Sequence, residues 1–348
     1  MLQKISSFLI TSMRSLNTPL ICLYILFSSV SWTQSVQKFA EIGDLNIANG
    51  EVITGCKIGY RTSGKMNDDK SNVIICPTWF NGTSEGIANL IEKINFIDTT
   101  KYFIISIDTL GNGISTSSSN YDGSYPQITI RDIVNSQYKL LTGHFGLNHI
   151  YAAVGGSMGS MQVLEWAVAY PDFIDRIVAY GATPKMTSYD LLWMNTHLDI
   201  IETLKKRGVS EREIKKISNM MITMVARTPA YVVDNIKQED FPEYLSSFDK
   251  EPSEVFTIDD FIIQLKAMMM HDISKDYGSL EKLSEIIKSD LFIIVSETDM
   301  MVNPTEALKL ADILKCRKLV LNNNCGHLAP SCEIERVKKE IDEFLSER

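Results

Sequence analysis

Short, nearly uninterrupted apolar runs alternate with helix-spaced apolar positions along most of the chain. Val73 to Cys76, Tyr102 to Ile107, Ile150 to Val154, Ile177 to Ala182, Asp290 to Val295 and Lys318 to Leu321 read as strands, preceded by Glu51 to Thr62. Strands apolar on both sides belong to a sheet buried on both faces, the usual state of parallel strands. Between them, helical spacing is found over residues 87–94, 128–141, 161–170 and 304–314, and finally at Ile334, Val337, Ile341, Phe344 and Leu345. The pattern predicts an α/β fold, with a mostly parallel sheet flanked by helices. Its two core segments are residues 36–185 and 278–348.

Residues 186–277 break this rhythm. Helices are expected at 191–206, 211–227 and 258–270, with no buried strand, so the segment reads as a helical lid inserted into the core. Met194, Met220, Met221, Met224, Met268, Met269 and Met270 crowd it. They serve either as ordinary helix filler or as a pliable apolar wall over a site.

The N-terminus has a third pattern. Residues 1–35 hold no acid, carry Lys4 and Arg14, and then run apolar from Pro19 to Val30 before a small polar exit. This is the layout of a signal peptide, and the run is short for a membrane span. It predicts export to the periplasm or medium with no stable membrane association after cleavage, or a cytoplasmic location should the leader not function.

Composition adjusts the picture little. With 348 residues, 45% of them hydrophobic, a sizeable core is available. A net charge of −9 argues against nucleic acid as a partner. Beyond the leader the cysteines are Cys56, Cys76, Cys316, Cys325 and Cys332, an odd set without C-x-x-C. That excludes a disulfide scaffold and a zinc site. Cys56 and Cys76 read as core residues, and a Cys325–Cys332 bridge is left open.

The candidate chemistry lies at Gly155-Gly156-Ser157-Met158-Gly159, where an apolar strand meets a helix. This G-x-S-x-G arrangement is a nucleophile elbow: a strained turn lifts the serine hydroxyl above the sheet edge, and glycines let strand and helix approach. Serine needs a base, and the base an orienting acid, in the chain order serine, acid, histidine. His144 and His149 precede Ser157, while His197 and His271 lie in the lid. Only His327 follows a late strand, so it is the expected base. Asp299, after the strand ending at Val295, is the expected acid, with Glu297 its rival. The Met158 N–H should be one oxyanion donor. The other should come from the loop after Cys76; Pro77 has no N–H, so Trp79 is the candidate and Phe80 the next. No cofactor or metal is expected.

With these motifs in place, the chain resembles the homoserine O-acetyltransferase family of the α/β-hydrolase superfamily as a divergent member. The likeness rests on Gly155 to Gln162 with Glu165-Trp166 and Tyr170-Pro171, on Tyr125 to Val134, on Ile97-Asp98 through Leu110-Gly111, and on Asp299 with Gly326-His327. It implies an α/β-hydrolase fold with a helical lid, an acyl-serine intermediate, acetyl-CoA as a possible donor substrate, and a homodimer. Departures fall at the acceptor site. Leu328 stands where the family has an acid for the acceptor's ammonium, and no arginine lies between Arg176 and Arg207 for its carboxylate. Each missing pair would lose roughly 2–5 kcal/mol of acceptor binding. The expected activity is acyl transfer from a small-molecule ester or acyl-thioester to water or another small acceptor. The alternatives are a genuine homoserine or serine O-acetyltransferase, or an idle fold used for binding.

Overall fold

The computed structural model describes residues 35–249 and 255–347. The leader expected at 1–35 lies, but for Ser35, outside the described residues. Eight strands form one sheet: β1 (Lys38–Asn46), β2 (Val52–Ser63), β3 (Val73–Pro77), β4 (Phe103–Ile107), β5 (Ile150–Gly156), β6 (Ile174–Tyr180), β7 (Asp290–Ser296) and β8 (Arg317–Leu321). Their order is β1-β2-β4-β3-β5-β6-β7-β8. From β4 to β8 every pairing is parallel, whereas β2 runs antiparallel to both β1 and β4.

The flanking helices are α1 (Ser84–Ile94), α2 (Ile130–Lys139), α3 (Met158–Ala169), α9 (Thr305–Leu314), α10 (Ala329–Cys332) and α11 (Ile334–Ser346). Between β6 and β7 lie α4 (Ser188–Lys206), α5 (Glu211–Ala226), α6 (Pro229–Asn235), α7 (Phe241–Ser246) and α8 (Ile258–Met269). Alternate strand residues feed two cores. Ile75, Ile105, Ala153, Ile177 and Ile293 join the side chains of α2, α3 and α9; Ile74, Ile104, Ala152, Val178 and Ile294 join those of α1 and α11. Both faces are therefore covered, which explains the solid apolar runs.

Three departures from the sequence pattern have physical causes. β1 is an additional edge strand; bulges around Gly43 break its alternation, and little of it is buried. β6 begins at Ile174, three residues before the expected start, in register with Ile150 of β5. The methionine cluster divides: Met194 and Met268 are core residues, whereas Met224 and Met270 are exposed. The chain entering the helical segment pairs with the chain leaving it, Lys185 opposite Asp272, closing the base of α4–α8.

The topology sets the location of the site. The chain steps from β3 outward to β4, then returns past β3 to β5. Such a switch in direction opens a crevice beyond the carboxyl ends of β3 and β5. The loop starting at Thr78 and the turn at Ser157 occupy those two ends.

Candidate active site

Ser157 closes β5 and caps α3 with φ 55° and ψ −123°, a left-handed conformation that side chains rarely adopt. Its own N–H donates to the Tyr180 carbonyl of β6 at 2.9 Å. The two glycines before it allow the close approach. A Cβ on Gly155 would strike the Gly159 carbonyl in the first turn of α3, and one on Gly156 the Tyr180 ring.

His327 follows β8 in a short helical turn, and its ring reaches back to the elbow. Nε2 stands 2.9 Å from Ser157 Oγ, and Nδ1 2.7 Å from an Asp299 carboxylate oxygen. With Nδ1 protonated and donating to Asp299, the Nε2 lone pair is left to accept the serine proton. The other Asp299 oxygen accepts the Met301 and Val302 N–H groups at 2.8 and 2.9 Å, which fixes the carboxylate. Glu297, the rival acid, is exposed and does not reach the imidazole; its N–H continues the ladder to Leu321.

Burial pulls the His327 pKa down, but the charge and hydrogen bond of Asp299, with the charge of Asp190 behind them, outweigh it. The net shift is upward from 6.5. The other histidines stand apart. His144 pairs with the Tyr60 hydroxyl and His149 with Asp175, while His197 and His271 are buried and pushed down to about 4.

The backbone N–H groups of Met158 and Trp79 have no acceptor among the described residues, and neither has that of Phe80. Thr78 donates its N–H to Ile107 at the end of β4, so the free donors begin at Trp79. The Phe80 ring packs edge-on against Phe261 of α8, with centroids 4.6 Å apart, and the Asn81 N–H donates to Gln264 of the same helix.

Supports the sequence did not reveal surround the three side chains. Asp190 closes a capping box with Thr187 at the start of α4, and its second oxygen accepts the Asn303 N–H just past the acid. One turn along, Trp193 donates its indole N–H to the Met301 carbonyl at 3.0 Å. The first lid helix thus grips the acid loop. The helix expected from 191 starts at Ser188; the Thr-x-x-Asp spacing is a signal that marks this start, whereas the second bond of Asp190 leaves no local signal. Around the base, Cys325 and Cys332 form a disulfide that brackets His327. Among the described residues no cluster of three or more His, Cys, Asp or Glu could hold a metal, and no helix is long and apolar enough to cross a membrane.

Comparison with known proteins agrees with this architecture. Residues 72–331 match the family model described as alpha/beta hydrolase fold. An ethyl acetate hydrolase of Pseudomonas veronii is 38% identical over 172 residues, covering 48% of this chain and 49% of that protein. The chain spans about half the length of the curated esterase relatives it matches. A homoserine O-acetyltransferase of Nautilia profundicola is 26% identical across 89% of this chain and 97% of its own. Among solved structures, an acetylester hydrolase from Corynebacterium glutamicum superposes with a TM-score of 0.78 at 25% identity, covering 89% of this chain and 95% of that one. With the family model covering well over half its length, the chain belongs to the α/β-hydrolase fold family.

Proposed function

We propose that the protein is a serine acyl-transfer enzyme acting on a small ester or acyl-thioester, with water the principal acceptor. The observation that carries this reading is the unbroken hydrogen-bonded line from Ser157 through His327 to Asp299 at the rim of the sheet. His327 Nε2 takes the proton from Ser157 Oγ as the oxygen attacks the substrate carbonyl. The carbonyl oxygen becomes an anion facing the Met158 and Trp79 N–H groups. The imidazolium, held by Asp299, gives its proton to the departing alcohol or thiol, leaving an acyl-serine. Water then enters, loses a proton to His327, and releases the acid as Ser157 regains its hydrogen. No cofactor enters any step.

Leu328 beside the base, and the absence of arginine between Arg176 and Arg207, favour water over a zwitterionic acceptor. The near full-length likeness to a homoserine O-acetyltransferase supports the second reading, transfer from acetyl-CoA to an amino-acid hydroxyl. The two separate in one assay of the protein with ethyl acetate, p-nitrophenyl acetate or acetyl-CoA, each with and without homoserine and serine. Hydrolysis predicts acetate release indifferent to the amino acids. Transfer predicts acetyl-CoA consumption that requires one. Ser157→Ala should lower kcat on the order of 10⁶-fold, and an active Ser157→Ala protein would end both readings.

We also propose that the chain is exported. The leader-like N-terminus motivates this, and the Cys325–Cys332 bridge suits an oxidising compartment. Cell fractionation with N-terminal sequencing of the mature protein tests it: a cytoplasmic product that keeps residues 1–35 refutes export.

A further inference from the structure

A buried polar chain runs under the site, and its polarity is set from one end. The Trp166 indole of α3 can only donate, and it does so to Gln137 Oε1 at 2.8 Å. Gln137 must therefore turn its amide nitrogen the other way, where it donates to Gln162 Oε1 at 2.6 Å. Thr109 Oγ1 donates to the same oxygen at 3.0 Å. Gln162 is left with one orientation, its Nε2 donating to the Thr78 carbonyl at 2.9 Å and the Met158 carbonyl at 3.0 Å. All four side chains, on two helices and one loop, are buried.

The Thr78 carbonyl and the Trp79 N–H are two ends of one peptide unit. That unit is planar and trans, so its C=O and N–H point in opposite directions. Holding the carbonyl on Gln162 therefore turns the Trp79 N–H away from the buried amide. Trp79 lies just beyond β3, and Ser157 just beyond the neighbouring β5. The peptide that supplies the Met158 N–H is fixed in a similar way, because the Ser157 carbonyl accepts the Ser160 hydroxyl at 2.6 Å.

We propose that Gln162 is a positioning residue for the oxyanion site, aiming the Trp79 N–H through the Thr78–Trp79 peptide. This inference rests on the acyl-transfer reading above. A donor fixed before the reaction stabilises the developing charge without reorganising, whereas a peptide free to rotate does not.

The test uses Gln162→Met, which keeps length but cannot donate, and Gln162→Glu, which keeps the oxygen for Thr109 and Gln137 but puts an acceptor where the donor was. Folded fraction is read by near-ultraviolet circular dichroism and activity is expressed per folded molecule. Both variants should lose about 10- to 100-fold in kcat with KM little changed, a misaimed donor costing less than a deleted one. Affinity for a trifluoromethyl ketone, whose serine adduct places an oxyanion at this point, should fall by the same factor. A merely structural glutamine would lower the melting temperature and leave the ratio of ketone affinity to KM unmoved. Wild-type ketone affinity in either folded variant overturns the proposal, as does a chain that folds with neither substitution. Failure of the underlying reading would be recognised separately, by activity surviving Ser157→Ala.

Discussion

Ser157 holds a backbone conformation that costs on the order of 1–3 kcal/mol and persists because β5, α3 and the Tyr180 carbonyl over-determine it. Glycine adopts those dihedrals without penalty. Ser157→Gly should therefore be inactive yet about 1 kcal/mol more stable than Ser157→Ala, which keeps the strained Cβ; paired urea denaturation curves measure the difference. A second expectation concerns His327. Its pKa is raised, so the imidazole is protonated, and unable to take the serine proton, at pH values where an ordinary histidine is already half free. The acid limb of kcat/KM should have its midpoint above 6.5. Asp299→Asn, which removes the neighbouring charge, should shift that midpoint downward as well as slowing turnover by about 10⁴-fold. A pH–rate profile of the two proteins decides it.

At the scale of elements, the loop carrying His327 is tied by the Cys325–Cys332 disulfide, which closes a ring of eight residues. A ring that short should contribute about 2–3 kcal/mol by restricting the unfolded chain. Replacing both cysteines with serine should lower the urea midpoint accordingly, with kcat falling further than KM rises if the imidazole wanders. The parts of this fold legible in the sequence were those with local periodicity. The parallel strands, α3 and the elbow announce themselves because each is buried almost throughout and reads as a dense apolar run. β1 did not, since an edge strand with bulges and few buried side chains carries no clean alternation. α6 and α7 fully bury no side chain and left no stripe to read. Ser157, Asp299 and His327 were nameable from chain order and strand ends. Asp190, Trp193 and Gln162 were not, because each acts through a backbone group remote in sequence, and only folding discloses which carbonyl or N–H a buried side chain will meet.

For the whole molecule, the roof over the sheet is unevenly attached. α4 buries Met194, His197, Leu198 and Ile201, whereas α7 buries no side chain; α6 half-buries Tyr231 and is tied through Thr228 and Asp234 to Asn324 in the loop carrying His327. Amide hydrogen exchange should therefore be slow along α4 and faster by orders of magnitude in α7; equal protection of α4 and α7 would contradict this account. The difference matters because the Asp190 carboxylate is shared between the first turn of α4 and the Asn303 amide that follows the acid. Were α4 to swing outward like a door, it would carry away a fastening of the very group that steadies the imidazole. A way in for substrate that spares that hinge post lies on the most loosely seated side of the roof, at α7.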